Sequence, residues 1–351
     1  MSDRTSDPDA ALLSVRGLQT HFFSRQGTVK AVDGLSFDLA PGETLGIAGE
    51  SGCGKSVTTQ SILRIVPKNG AIVAGSILFD SPSQGRVDLV TLDPQGSAIR
   101  EIRGAEIAMV FQEPMTSFSA MHTVGNQIME AIMLHQRVSK RQARAAAIEM
   151  LNRVGMPQPA ATIDSYSFNL SGGMRQRAMI AMALSCRPRL LIADEPTTAV
   201  DVTIQAQVLD LIKDLQQELG MALIIITHDL AVIAELADTV LIMYLGQEVE
   251  SAPVDDIFYQ PKHPYTRGLL GSVPKLGEGA AQKITPIAGS VPTHVERVHG
   301  CLFHPRCPDC IPGVCDGDAP PLLAVGAGHS TACYLYGAAD SDSAGAGGGD
   351  G

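Results

Sequence analysis

One octapeptide, residues 49–56, limits what this chain can fold into more than any other stretch. It reads Gly-Glu-Ser-Gly-Cys-Gly-Lys-Ser and matches the phosphate-loop pattern G-x-x-x-x-G-K-[ST] at every fixed position. Residues 44–48 predict a short buried strand before it, and residues 56–64 predict a helix after it. A helix N-terminus offers unpaired N–H groups to an anion, so these flanks favour a phosphate site over a plain glycine turn. The octapeptide therefore predicts an α/β domain that binds a nucleotide.

Each residue type in this loop has a chemical task. The glycines let backbone N–H groups converge on phosphate oxygens, the lysine adds positive charge, and the serine hydroxyl is a ligand for Mg²⁺. An aromatic ring at the end of the first predicted strand, Phe22 or Phe23, is a candidate to stack on a purine, with core packing as the alternative. The candidate nucleotide-binding residues are Phe22, Gly49, Ser51, Gly52, Cys53, Gly54, Lys55, Ser56 and Val57.

Further polar groups follow predicted buried strands along the chain. Gln112 follows residues 107–111, the pair Asp194 and Glu195 follows the apolar run 190–193, and His228 follows residues 222–227. The carboxyl ends of parallel strands meet at one edge of a sheet, where such folds bind their ligands. We expect Asp194 to hold the water shell of Mg²⁺ and Glu195 to polarise the attacking water. Gln112 is a second candidate metal ligand, and the predicted catalytic set is Gln112, Glu195 and His228.

A second candidate anion site opens a long predicted helix. Ser171 is placed as the N-cap, and Gly172 and Gly173 follow it. The simple interpretation is an ordinary helix start; the alternative is that the hydroxyl and two N–H groups aim at a second phosphate. Between the sheet segments, residues 124–135 and 139–154 predict helices of an insertion. Within the predicted helices, Ile62, Leu63, Ile65, Met129, Met133 and Met150 are expected to fill the core.

Composition narrows the class of protein. The chain has 351 residues, enough for a sizeable core, and 26 basic against 37 acidic residues give a net charge of −11. This balance disfavours a nucleic-acid-binding surface. The first ten residues lack an apolar signal segment, and no run approaches eighteen apolar residues. We expect a soluble cytoplasmic chain with disordered ends at residues 1–10 and 337–351.

The seven cysteines are unevenly distributed. Cys53 and Cys186 are isolated and are expected to be inert, whereas five crowd into one C-terminal segment: Cys301, Cys307, Cys310, Cys315 and Cys333. In a reducing compartment such a crowd suggests a metal site more than disulfides. Four thiolates satisfy either zinc or a [4Fe–4S] cluster, so the ligand count leaves both open beside the alternative of free thiols.

These motifs, in this order, resemble the ATP-binding subunits of ABC transporters. The matching positions are residues 49–56, Gln112, residues 170–173, the pair 194–195, Asp201 and His228, and the similarity spans about residues 10–255. The resemblance implies an ABC-type nucleotide-binding domain in residues 11–255. Its parts are a P-loop sheet core, an antiparallel β subdomain and a helical subdomain at about residues 115–185. Departures from the family's usual residues occur at Ser119-Ala120, Phe168-Asn169 and Val200.

The C-terminal part is similar to one subgroup, the oligopeptide and dipeptide importers. Residues 263–270 and 300–308 carry this similarity, and they imply a small regulatory or metal-binding domain over residues 256–336. The resemblance also implies a [4Fe–4S] cluster on Cys301, Cys307, Cys315 and Cys333, with Cys310 as a spare.

The resemblance further implies a function and a set of partners. The chain is expected to hydrolyse ATP with Mg²⁺ and so power peptide import, at the cytoplasmic face of the cell membrane. Implied partners are two membrane permease subunits, a second ABC ATPase subunit (a paralogue or a copy) and an extracytoplasmic peptide-binding protein, with no nucleic acid. In that assembly Ser171 acts on the partner's ATP. The alternatives are a soluble ABC ATPase acting on nucleic acid or ribosomes, and an importer of another cargo such as nickel.

Overall fold

The computed structural model describes residues 11–25, 27–112, 117–197, 202–272, 287–292 and 298–337, with no side-chain description for 202–204. The disorder predicted for residues 1–10 and for the tail after Gly337 lies outside these residues, as do Val200 and Asp201.

The described strands form two sheets. One is a four-stranded antiparallel sheet in the order β2-β1-β4-β5, and the other has eight strands in the order β11-β12-β10-β9-β3-β8-β7-β6. The strands are β1 (Leu13–Ser24), β2 (Gly27–Leu39), β3 (Thr44–Ala48), β4 (Gly70–Ser81), β5 (Gly85–Asp88), β6 (Ile107–Val110), β7 (Leu190–Asp194), β8 (Ala222–Ile226), β9 (Thr239–Tyr244), β10 (Gln247–Pro253), β11 (Leu323–Gly326) and β12 (His329–Thr331).

Continuous apolar runs form the centre of the larger sheet. Every residue of β3, β7 and β8 is buried, which is typical of parallel strands covered on both faces. The pairing is parallel through β9, β3, β8, β7 and β6, with Leu45 opposite Ile224 and Ala193 opposite Ile225. All five strands therefore end at the same edge of the sheet.

Helices cover this sheet and form a separate helical region. They span Lys55–Ile62, Ser97–Ile102, Val124–His135, Lys140–Arg153, Pro159–Thr162, Gly172–Leu184, Val202–Leu219, Leu230–Leu236, Val254–Tyr259 and Pro264–Gly271. Ser139 begins one of them with a capping box, because its hydroxyl accepts the Gln142 N–H while the Gln142 side chain accepts the Ser139 N–H. Ile128, Ala147 and Met179 from three helices share one buried cluster. The predicted helical insertion is thus present as one packed unit.

Two side chains expected in the core are exposed. Ile65 is 36% exposed, because its helix ends at Ile62 and Arg64 turns the chain with φ 57°. Met133 is 40% exposed, since Met129 and Ile132 take the buried face of the same helix. The core predictions for these two residues are wrong.

The C-terminal segment, expected as a small separate domain, continues the main sheet. β12 pairs with β10, with Glu250 opposite Thr331, and β11 adds beyond it. Tyr265 and Phe303 lie in the same buried cluster as Tyr244 of β9. The segment packs here because the apolar face of β9 and β10 must be kept from water.

Candidate functional site

The predicted site residues come together because their strands are neighbours. The phosphate loop follows β3, His228 follows β8, the pair Asp194 and Glu195 ends β7, and Gln112 follows β6. In the sheet these strands lie side by side and parallel, so their carboxyl ends form one row. Such an edge is the usual ligand site of an open α/β sheet.

Two positions of the phosphate loop require glycine. Gly49 has φ 150° and Gly54 has φ 103°, conformations that side chains rarely adopt. A Cβ at Gly49 would collide with the carbonyl oxygen of Met243, and one at Gly54 with that of Ala31. The loop is therefore threaded tightly between β2 and β9.

Lys55 is folded back onto its own loop. Its Nζ donates to the Gly49 carbonyl at 2.7 Å and to the Glu50 carbonyl at 3.0 Å. The side chain is buried, and the Cys53 sulfur lies 3.8 Å from the same Nζ. Burial raises the pKa of the Cys53 thiol, in keeping with a small apolar role. The ammonium group is thus held against the first two residues of the phosphate loop.

Ser56 and Asp194, both predicted to serve Mg²⁺, are in contact. The Ser56 hydroxyl donates to Asp194 Oδ1 at 3.1 Å. Asp194 is only 5% exposed, and burial raises its pKa while this hydrogen bond opposes the rise. A hydroxyl and a carboxylate at one point are oxygen ligands of the kind that Mg²⁺ takes. These two residues are the candidates to hold the ion or its water shell.

Glu195 lies between the other two members of the predicted catalytic set. The Gln112 amide donates from Nε2 to Glu195 Oε2 at 2.7 Å, and His228 Nδ1 is 3.6 Å from Glu195 Oε1. Glu195 has a left-handed backbone with φ 49°, and its N–H donates to the Ile226 carbonyl at 2.8 Å. This strained conformation directly after β7 turns the Glu195 side chain in a direction that regular strand geometry would not allow.

The remaining predicted site residues are placed as follows. Ser171 is an exposed N-cap whose hydroxyl accepts the Met174 N–H at 3.3 Å, and Gly172 beside it is exposed while Gly173 is half-buried. Ser51 and Gly52 are exposed at the tip of the phosphate loop, and Val57 packs against the core. Phe22 is half-buried against Gly70, whereas Phe23 is 52% exposed. The purine contact of Phe22 stays a prediction.

Two residues at this site, Tyr265 and Arg306, were not predicted from the sequence, and both contact Glu50 of the phosphate loop. Tyr265 Oη accepts the N–H of Glu50, a variable position of the phosphate loop, at 2.8 Å. Arg306 donates to both carboxylate oxygens of Glu50, at 2.7 and 3.0 Å. No local signal could have found these contacts, because they join positions 215 and 256 residues apart.

The cysteine-rich segment differs from the expectation of a formed metal site. Within the described ranges, no group of three or more His, Cys, Asp or Glu side chains is arranged to hold a metal ion. Cys301 is nevertheless close enough to Cys315 and Cys333 to interact with them electrostatically. Burial, with smaller contributions from neighbouring cysteines, raises the pKa of Cys301 to about 11 and that of Cys307 to about 12. The Cys301 N–H also donates to the Cys315 carbonyl at 2.8 Å.

No helix in the described ranges is both long enough and apolar enough to span a membrane.

Comparison with known proteins identifies the family. Residues 32–198 match the ABC transporter family, and residues 249–315 match the C-terminal region of oligopeptide/dipeptide transporters. The dipeptide transport ATP-binding protein DppD of Bacillus subtilis is 49% identical over 92% of this chain and 94% of its own length. The oligopeptide transport ATP-binding protein AppD of the same organism is 47% identical over 93% and 97%.

Solved structures agree with the fold. A dimeric ATP-binding cassette bound to ADP and Pi, in a post-hydrolysis state, superposes with a TM-score of 0.61 at 22% identity, covering 69% of this chain and 98% of the cassette. The expected α/β fold with a P-loop core is thereby confirmed. With ATP motifs, fold and near-full-length relatives in agreement, the chain belongs to the ATP-hydrolysing subunits of the ABC transporter family.

Proposed function

We propose that this ATPase powers the import of peptides through separate membrane subunits. The observation that carries the proposal is the match of residues 249–315 to the C-terminal region of oligopeptide/dipeptide transporters. Relatives over nearly the whole chain are named for dipeptide and oligopeptide transport. The chain would then act at the cytoplasmic face of the cell membrane, together with two permease subunits and an extracytoplasmic peptide-binding protein.

In the proposed mechanism the phosphate loop binds the phosphates of ATP, and Glu195 accepts a proton from the attacking water. The loop N–H groups and Lys55 hold the terminal phosphates, and Ser56 with Asp194 would hold Mg²⁺, which supplies charge neutralisation on the phosphates when bound. Glu195 orients the attacking water and accepts its proton. Gln112 and His228 keep the Glu195 carboxylate in place, in accord with their distances of 2.7 and 3.6 Å from its two oxygens.

A second ATPase subunit completes each site in this proposal. Ser171 is exposed at the start of a helix that carries two glycines, so its hydroxyl and the helix N–H groups are open to a phosphate on another chain. ATP bound between two chains links their faces, and its hydrolysis releases them. The cassette structure of the same fold is itself described as dimeric. The partner is either a paralogue or a second copy.

Uptake by a reconstituted transporter tests the proposed cargo. The complex would be purified from its host through this chain, and the co-purifying subunits identified. Placed in vesicles with its binding protein and ATP, it should accumulate labelled di- and oligopeptides, whereas complex carrying Glu195→Gln should not. Uptake of nickel in place of peptides would reassign the cargo. Co-purification with nucleic acid or ribosomes and without permease subunits would overturn the proposal.

We also propose that Cys301, Cys307, Cys315 and Cys333 bind a structural [4Fe–4S] cluster, with zinc as the alternative. The donor set supports this, because these four cysteines lie in one segment, and burial, with smaller contributions from neighbouring thiols, raises the pKa of Cys301 and Cys307. Thiolates are the ligands that both groups use. Full-length chain purified without oxygen should contain iron and acid-labile sulfide, and Cys301→Ser should lose them while ATP still binds. Stoichiometric zinc would replace the iron assignment, and metal-free protein would refute both.

A further inference from the structure

The variable position Glu50 of the phosphate loop is held at every polar group it has. Its N–H donates to Tyr265 Oη at 2.8 Å, and its carbonyl accepts Lys55 Nζ at 3.0 Å. Its carboxylate is bound by two nitrogens of Arg306, at 2.7 and 3.0 Å. Two of the three anchors thus come from residues more than 200 positions away, in the C-terminal segment.

The Arg306 anchor is itself rigid. Its side chain is 5% exposed, its Nε donates to the Ala288 carbonyl at 3.0 Å, and one of its terminal nitrogens also donates to Tyr244 Oη at 3.3 Å. The guanidinium lies 5.9 Å from the ring centres of Tyr244 and Phe303. A planar cation that is bound bidentately and lies beside two aromatic rings has little freedom to move. Glu50 is therefore tied to a fixed point and not to a mobile surface chain.

The Tyr265 anchor is equally buried. Its ring is 0% exposed and lies 4.7 Å from that of Tyr244 and 5.3 Å from that of Phe303. Burial raises the pKa of its hydroxyl, so the group stays neutral and can accept the Glu50 N–H. The aromatic cluster fixes where this oxygen stands.

We propose that Arg306 and Tyr265 are positioning residues that hold the phosphate-binding loop in the shape that accepts ATP. Gly49 and Gly54 are held by close backbone contacts, and the two anchors add a fixed point at Glu50 between them, which lowers the entropic cost of ordering the loop when ATP binds. Arg306 also neutralises a carboxylate that stands beside the place of a triphosphate; an uncompensated Glu50 would repel that anion. ATP affinity therefore depends on a segment that contains none of the ATP motifs.

Titration of the full-length chain with ATP and Mg²⁺ tests this inference. Arg306→Gln removes the charge at similar size and should weaken ATP binding about ten-fold, and Tyr265→Phe removes one hydroxyl and should weaken it about three-fold. The double variant Glu50→Gln/Arg306→Gln should bind ATP more tightly than Arg306→Gln alone, because the repelling carboxylate is gone. Because removal of the unpaired carboxylate also restores stability, the rescue is measured as ATP affinity at a temperature where every variant is folded.

Arg267→Gln is the matched control. Arg267 belongs to the same segment and pairs with Asp309 at 3.5 Å, with both side chains 45% exposed. Its loss should leave ATP affinity within about two-fold of the parent value. In the assembled transporter, Arg306→Gln should raise KM for ATP while kcat stays within about two-fold, since Glu195 is untouched.

Two results would overturn the inference. One is ATP affinity within two-fold of the parent for Tyr265→Phe, the variant least able to disturb folding. The other is an equal loss in Arg267→Gln, which would assign the effect to general destabilisation of the segment. If Arg306→Gln does not fold, the comparison of Tyr265→Phe with Arg267→Gln decides alone.

Discussion

The Gln112 amide nitrogen and a carboxylate oxygen of Glu195 lie 2.7 Å apart, and the other oxygen of Glu195 faces His228 at 3.6 Å. One carboxylate is therefore held from two neighbouring strand ends. A carboxylate fixed in this way points the same face at a bound phosphate in each catalytic cycle, which is what a general base requires.

Glu195→Gln should abolish most turnover and spare binding. The amide cannot accept the proton of the attacking water, so we expect ATP hydrolysis by the assembled transporter to fall by about 10² to 10⁴-fold. ATP titration of the same protein should give an affinity close to that of the parent. Glu149→Gln, on the exposed face of a helix, is the control and should hydrolyse normally. Near-normal turnover in Glu195→Gln would assign the base elsewhere.

Lys55→Ala should act on binding itself. Lys55 Nζ donates to the Gly49 and Glu50 carbonyls and is the positive charge of the loop. In Lys55→Ala a bound triphosphate would lose its attraction to this charge. We expect ATP affinity to drop by at least about ten-fold, measured by titration of the purified chain. Lys262→Ala, in the C-terminal segment, serves as the control. Unchanged affinity in Lys55→Ala would mean that the loop N–H groups alone suffice.

Mixing two inactive chains should recover activity if Ser171 serves the partner's ATP. Ser171→Arg blocks the exposed helix start, and Lys55→Ala disables the phosphate loop. A mixed pair keeps one site with both an intact loop and an intact serine, so part of the parent hydrolysis should return. If the natural partner is a paralogue, one substitution is made in this chain and the equivalent of the other is made in the paralogue. Mixtures as inactive as each pure variant would exclude the composite site.

Glu248 should make stability depend on pH. Burial raises its pKa from an ordinary 4.5 to about 7 in the folded chain. Between these values the folded chain keeps a proton that the unfolded chain has lost, so the free energy of unfolding falls as pH rises to 7 and stays lower above it. Glu248→Gln removes this loss and should stabilise the protein by about 1–2 kcal/mol at pH 8, after allowance for partial solvent contact.

Thermal unfolding at two pH values checks this expectation. The gain of Glu248→Gln over the parent at pH 8 should shrink toward zero near pH 5, whereas Glu218→Gln, whose side chain is 53% exposed, should show no such trend. A gain that is equal at both pH values would come from packing and not from ionisation.

Local signals in the sequence were enough for the ATP-binding half of the fold. The predicted bounds of β3 and of the helix Val124–His135 agree with the structure residue for residue, because each has a clear hydrophobic period and a clear start. The row of polar groups at strand ends was also predictable, since parallel neighbours share an edge. The exposure of Ile65 and Met133 was not predictable in this way, because it depends on where a helix ends and on which face packs.

Long-range contacts and side-chain directions were beyond the sequence. Arg306 and Tyr265 look like ordinary members of the C-terminal segment until the fold places them on Glu50. The pairing of β12 with β10 was equally unpredictable, because a strand of three residues is too short to show a hydrophobic pattern. The cysteines show the reverse case. Their crowding and the family resemblance predicted a metal site, but the directions of the thiols decide whether one is formed, and the sequence does not contain those directions.

The pairing of β12 with β10 has a consequence for how the protein is made. Glu250 is 0% exposed and receives a 2.7 Å contact from Nε2 of His329, which leaves the ribosome 79 residues later. Until then the nascent chain has an unpaired edge at β10, which favours pairing with other chains, and Glu250 has only the N–H groups of Lys262 and His263 as donors. A product that ends before His329 keeps every ATP motif and still lacks this closure. The edge of β10 is therefore covered by residues that follow every ATP motif in the chain.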